Sequence, residues 1–128
     1  MRYSIAIALA CAACRAGPLL LVPGFDTGCD EECTARRDDQ DRIDEQSAVE
    51  LGKLAIASAS AGDCACAYAL FEACSLKDAA IRSGVLADAA MRACVSEVPD
   101  ATRNELRAAS AVPGTIARCA TRYDRRSR

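Results

Sequence analysis

The 128-residue chain contains no histidine and no tryptophan. Without histidine the commonest general base is missing, and serine or cysteine nucleophiles lose their usual activating partner. The imidazole that completes most zinc sets is gone too, and beyond residue 16 there is no Cys-x-x-Cys pair to replace it with thiolates. Only five aromatic residues are present (Tyr3, Phe25, Tyr68, Phe71, Tyr123), and the C-terminal arginines lack the interleaved aromatics on which single-stranded nucleic acid stacks. A glycine-rich phosphate loop and a dinucleotide fingerprint are also missing. No enzyme, cofactor or nucleic-acid partner is therefore expected.

What is present points to a small stapled domain. The length suits one domain. With few aromatics, the core falls to Ala, Leu, Ile, Val and Cys, and alanine favours helix while burying little surface. Thin cores of this kind need cross-links, and the chain carries nine cysteines. Charge is unevenly placed. Residues 26–50 hold ten acids against three arginines, a net of −7, while residues 101–128 hold seven arginines against two acids, a net of +5. A basic tail invites nucleic acid or anionic lipid, but with −2 overall the two ends are expected to attract each other or to be solvated.

Residues 1–16 read as a secretory signal: Met1-Arg2, an apolar run from Tyr3 to Ala13, then small residues. Cleavage triplets are Ala8-Leu9-Ala10 and Ala10-Cys11-Ala12. An anchor continuing to Val22 would bury Arg15 at roughly 2.5–3.5 kcal/mol and place Pro18 within the span. The stretches "ALAC" and "CAAC" resemble the bacterial lipobox, which would make Cys11 or Cys14 the lipid-attachment residue. Membrane contact is expected only through such a lipid or through an uncleaved signal. Export makes disulfides the expected fate of the remaining cysteines.

Residues 17–46 form a linker, Gly- and Pro-rich to Gly28, followed by an acidic segment that is helical or partly disordered. Residues 47–125 form the helical domain. Ser47 with Glu50 makes a capping box, and Leu51, Leu54, Ala55, Ser58 and Ala59 share one helix face. Gly62 ends that helix and Asp63 caps the next, whose stripe is Cys66, Ala67, Leu70, Phe71 and Cys74. Asp78 opens a third helix with the stripe Ile81, Val85, Leu86, Ala89, Ala90, Ala93 and Cys94. Asp100 caps a fourth, and Pro113 sits in the first turn of a fifth, with Ile116, Cys119, Ala120 and Tyr123 on its face. The expected fold is all-α, an array of four to five helices in hairpins, stapled by disulfides.

The stretch "GDCACAYALFEAC" (62–74) resembles the second half of a tetratricopeptide repeat. Gly62, Asp63, Ala67, Leu70, Phe71 and Glu72 match that pattern, Cys74 stands for a small alanine, and Leu51 and Leu54 match large positions on the preceding helix. Ala55 replaces the usual glycine, Ser58 replaces an aromatic residue, and the closing proline is absent. The resemblance covers one copy, about residues 48–77. It implies a scaffold that binds a protein partner in the groove of the hairpin at 48–76 and performs no catalysis.

The cysteine chemistry follows from helix geometry. Cys64 and Cys66 lie roughly 200° apart round a helix, and Cys66 and Cys74 roughly 12 Å apart along it, so the three cannot converge on one ion. Cys66, Cys74, Cys94 and Cys119 lie on stripes that face neighbouring helices. Cross-linking is thus the favoured role of Cys29, Cys33, Cys64, Cys66, Cys74, Cys94 and Cys119, with pairing left open. The expected function is an exported structural or protein-binding module. The alternative is a periplasmic thiol-redox or soft-metal protein working through Cys64 and Cys66.

Overall fold

The computed structural model describes residues 30–124. The signal segment 1–16, the lipidation candidates Cys11 and Cys14, and Cys29 lie outside the described residues. Seven helices follow in order: α1 (Glu31–Glu45), α2 (Ala48–Ser60), α3 (Cys64–Lys77), α4 (Ile81–Leu86), α5 (Ala89–Val95), α6 (Asp100–Ser110) and α7 (Thr115–Tyr123).

Among the described residues the fold is all-α and disulfide-linked, but the expected four to five helices are corrected to seven. Two causes account for the difference. The acidic segment folds into a full helix, α1, although its residues are strongly polar. The long apolar stripe after Asp78 is broken into α4 and α5 at Ala87–Asp88, where the Asp88 carboxylate accepts from Met91 N–H at 3.1 Å and starts a new helix. The stripe stays in phase across the break, which hid it.

Local signals build the central hairpin. Ser47 accepts from Glu50 N–H at 3.1 Å to open α2. Gly62, at φ +79°, closes it with paired bonds, Gly62 N–H to Ala59 C=O at 3.0 Å and Asp63 N–H to Ser58 C=O at 2.9 Å. This is a Schellman ending, and the left-handed φ is why glycine stands there. Asp63 then turns directly into the cap of α3, accepting from Cys66 N–H at 3.1 Å.

Helix α3 runs through the middle of the molecule and touches each of the other six helices. Nine of its residues are buried, from Cys66 to Ser75 with only Glu72 interrupting, because its apolar side chains run right round it. Phe71, Leu70, Leu51 and Met91 are the bulky residues of the core. On α2, Gly52 lets α4 approach: a Cβ there would lie 2.9 Å from Val85 Cγ2. Helix α6 is only half-embedded, with no buried residue, and is held to α3 partly by Arg107 Nε donating to Tyr68 Oη at 3.3 Å. Asp100 is the first residue of α6 and Pro99 its cap position, while Pro113 precedes α7, which starts after Gly114.

Candidate functional site

The first turn of α3 gathers the chemistry that the sequence singled out. Cys64 is bonded to Cys94 on α5, with Cα atoms 5.1 Å apart, and Cys66 is bonded to Cys119 on α7, at 5.4 Å. The two cysteines leave opposite sides of the helix, so each reaches a different neighbour and α3 is clamped between them. Cys33 on α1 is also disulfide-bonded. Cys74, on the same stripe as Cys66, is instead a fully buried free thiol whose Sγ lies 3.1 Å from Phe71 C=O. Burial pushes this thiol above its ordinary pKa, so it is a core filler and a poor nucleophile. Among the described residues, no group of three or more Cys, Asp and Glu side chains is arranged to hold a metal ion.

Asp63 sits at the base of the clamp and serves three partners. Besides capping α3, its Oδ2 accepts from Arg122 Nη1 at 2.9 Å and from Tyr123 Oη at 2.8 Å, tying the end of α7 to the start of α3. Burial by itself would raise the carboxyl's pKa. The Cys66 N–H, Tyr123 and Arg122 bonds and the Arg122 charge outweigh it, and Asp63 titrates below its ordinary range. Tyr123 is raised in turn by burial and by the carboxylate it faces.

Beside this turn an open cleft of about 320 Å³ runs between α2 and the end of α7, lined by Gln46, Glu50, Lys53, Leu54, Ala57, Tyr123 and Asp124. Leu54 and Ala57 supply apolar wall. Two polar walls are anchored from behind, Tyr123 on Asp63 and Asp124 on Arg42 at 3.7 Å. Gln46 is 7 % exposed, and its Oε1 has no hydrogen-bond partner. The hairpin at residues 48–76, where the groove was expected, faces outward on the α2 side through Val49, Lys53, Ala57 and Ser60, and on α3 at Leu76 near its end. The rest of the α3 side is enclosed by the other helices.

The acidic helix α1 lies along α7. Asp39 Oδ2 accepts from Gly114 N–H and Oδ1 from Ala117 N–H, both at 2.8 Å, so a residue of α1 caps a helix that has no side-chain cap of its own. Burial raises the Asp39 pKa; the two backbone bonds and Arg118 oppose it without overcoming it. Lys77, at the end of α3, donates to the carbonyls of Ile43, Asp44 and Gln46 and closes the C-terminus of α1. No spacing rule points to either contact, since the partners are more than thirty residues apart. No helix among the described residues is long and apolar enough to cross a membrane. Comparison with protein-family models, curated proteins and solved structures finds no match for this chain.

Proposed function

We propose that this protein is an exported, disulfide-stapled module that binds another protein through the outer face of α2 and the adjoining cleft. The observation that carries the reading is the pair of bridges, Cys64–Cys94 and Cys66–Cys119, meeting at one helix turn. Such bonds persist in oxidising compartments and add stability where the core is thin, which supports delivery by the leader at residues 1–16. The resemblance of residues 48–77 to one tetratricopeptide repeat supports protein binding, and the cleft with its preset walls supplies a surface beside α2. Attachment to the membrane through Cys11 or Cys14 belongs to the same proposal.

The test is the intact mass of the protein from a secreting host, with thiols alkylated before and after reduction. Loss of the leader, with Cys64, Cys66, Cys94 and Cys119 oxidised, supports the reading, and an added diacylglycerol mass places the lipid. Free thiols at all four positions would overturn it and favour redox or soft-metal chemistry at Cys64 and Cys66. A photo-crosslinking residue at Ala57, compared with one at the exposed Ser83, tests the surface: adducts at both positions or neither would remove the cleft from the proposal.

A further inference from the structure

Two kinds of attachment hold this molecule together, and they divide it at Gln46–Ser47. Helices α3, α5 and α7 are joined covalently by the two bridges. Neither bridge reaches α1: Cys64, Cys66, Cys94 and Cys119 are paired among themselves and Cys74 is free, so the disulfide that Cys33 of α1 makes has its other end outside the described residues. Helix α1 also buries little: Cys33 is its one buried residue, with Ile43 partly packed against the core.

What keeps α1 in place is polar. Residues Ala35, Asp39 and Arg42, spaced to share one face, meet the small-residue stripe Gly114, Ala117 and Thr121 of α7. Ala35 Cβ lies 3.3 Å from where a Cβ at Gly114 would stand. Asp39 takes the Gly114 and Ala117 N–H groups, and Arg42 Nη2 donates to Thr121 Oγ1 at 2.7 Å. Arg42 also pairs with Asp124, and Lys77 holds the last carbonyls of α1. The junction is built for separation. Gln46 and Ser47 are extended, and α2 carries its own cap in Ser47 and Glu50, so α2 keeps its first turn whether or not α1 is docked.

From this division we infer that α1 is a releasable strap: it opens as a unit from α7 while the disulfide-locked body of α2–α7 stays folded. Release frees the Gly114 and Ala117 N–H groups and bares the stripe Gly114–Ala117–Thr121. It also withdraws Arg42 from Asp124, one wall of the cleft beside α2. Opening would be a sub-global event of the kind seen where apolar contact is sparse and hydrogen bonds are solvent-exposed.

Amide hydrogen exchange followed by NMR on the oxidised full chain tests this. The amides of α1 and those of Gly114 and Ala117 should share one opening equilibrium, at least tenfold more populated than that of α3. Asp39→Ala should raise it by about a further tenfold at α1, Gly114 and Ala117 and leave α3 unchanged. Lys77→Met, which removes a latch at the other end, should raise it at α1 and at those two amides together, and acceleration confined to the end of α1 would count against opening as a unit. This variant decides the matter with the wild-type data if the Asp39 variant does not fold. Exchange of α1 only at the rate of α3, or equal acceleration of α3 by these substitutions, would overturn the strap.

Discussion

At the scale of single residues, two glycines in neighbouring helices make opposite predictions. An alanine methyl at Gly52 would sit 2.9 Å from Val85 Cγ2. Valine is short and stiff at χ1, so the contact is relieved only by moving α4. Overpacking costs about 1–3 kcal/mol, which exceeds the roughly 1 kcal/mol that alanine returns in helix propensity. At Gly84, exposed on α4, nothing lies within 4 Å of an added Cβ. Gly84→Ala should therefore stabilise by up to about 1 kcal/mol and Gly52→Ala should destabilise by on the order of 1 kcal/mol, read as opposite shifts of the urea midpoint. The sequence marks Gly84 as a weak point in a helix but carries no sign of the role of Gly52, because what it accommodates lies thirty-three residues away. Cys74 shows the same limit. Its stripe position is visible from spacing, while its lack of a bond depends on which helices meet: every other cysteine among the described residues is already bonded.

At the scale of helices, boundaries set by short-range chemistry were legible at two turns. Ser47 with Glu50, and Gly62 with Asp63, act within four residues and appear where the spacing placed them. Asp78, expected to open a helix, instead ends α3 with its N–H on Cys74 C=O, and α4 follows Ala80 with no side-chain cap. The split at Asp88 escaped because an N-cap aspartate inside an in-phase apolar stripe looks like one polar residue on a long helix. The docking of α1 escaped for a different reason: its latches are long-range, and a charged helix shows no apolar face from which to infer a partner. Two of these cap carboxylates respond to pH in opposite directions. Asp63 is held below its ordinary range, so its contribution is present at neutral pH and is lost as pH falls through its folded-state pKa. Asp39 is held above it, so its contribution is fully present below the unfolded-state pKa and is lost as pH rises through the folded-state value. Asp63→Asn should flatten the acid limb of the stability curve. Asp39→Asn should make stability climb more steeply with pH just above the ordinary carboxylate range. Carboxyl NMR titration of the two residues checks the directions directly, and identical midpoints would contradict both.

At the scale of the whole molecule, the need for staples was legible from composition, but their pairing was not, because it depends on which helices meet. The pairing found has a thermodynamic consequence. Taken singly, the Cys64–Cys94 and Cys66–Cys119 bridges close loops of 30 and 53 residues, for which chain entropy gives about 3.6 and about 4.2 kcal/mol. The bridges are not independent, since both start in one turn and their loops overlap. With Cys64–Cys94 formed, the short route from Cys66 to Cys119 runs back two residues, across that bridge and along the 25 residues after Cys94. It closes about 28 residues in place of 53, so each bridge adds less in the presence of the other than it would alone. Removing Cys64–Cys94 alone, as Cys64→Ser with Cys94→Ser, should thus cost about 3 kcal/mol, and removing Cys66–Cys119 alone, as Cys66→Ser with Cys119→Ser, about 3.6 kcal/mol. For a domain of this size that is a drop in Tm of roughly 15–30 °C. Both orders of removal end at the same quadruple variant, with a total loss of about 7.2 kcal/mol, below the roughly 7.8 kcal/mol that two independent bridges would give. Calorimetry of the two double variants and the quadruple variant reads all three steps. First losses that are each smaller than the loss of the same bridge when the other is already gone mean that the two bonds act as one clamp on α3, whereas equal losses in either background mean two separate staples.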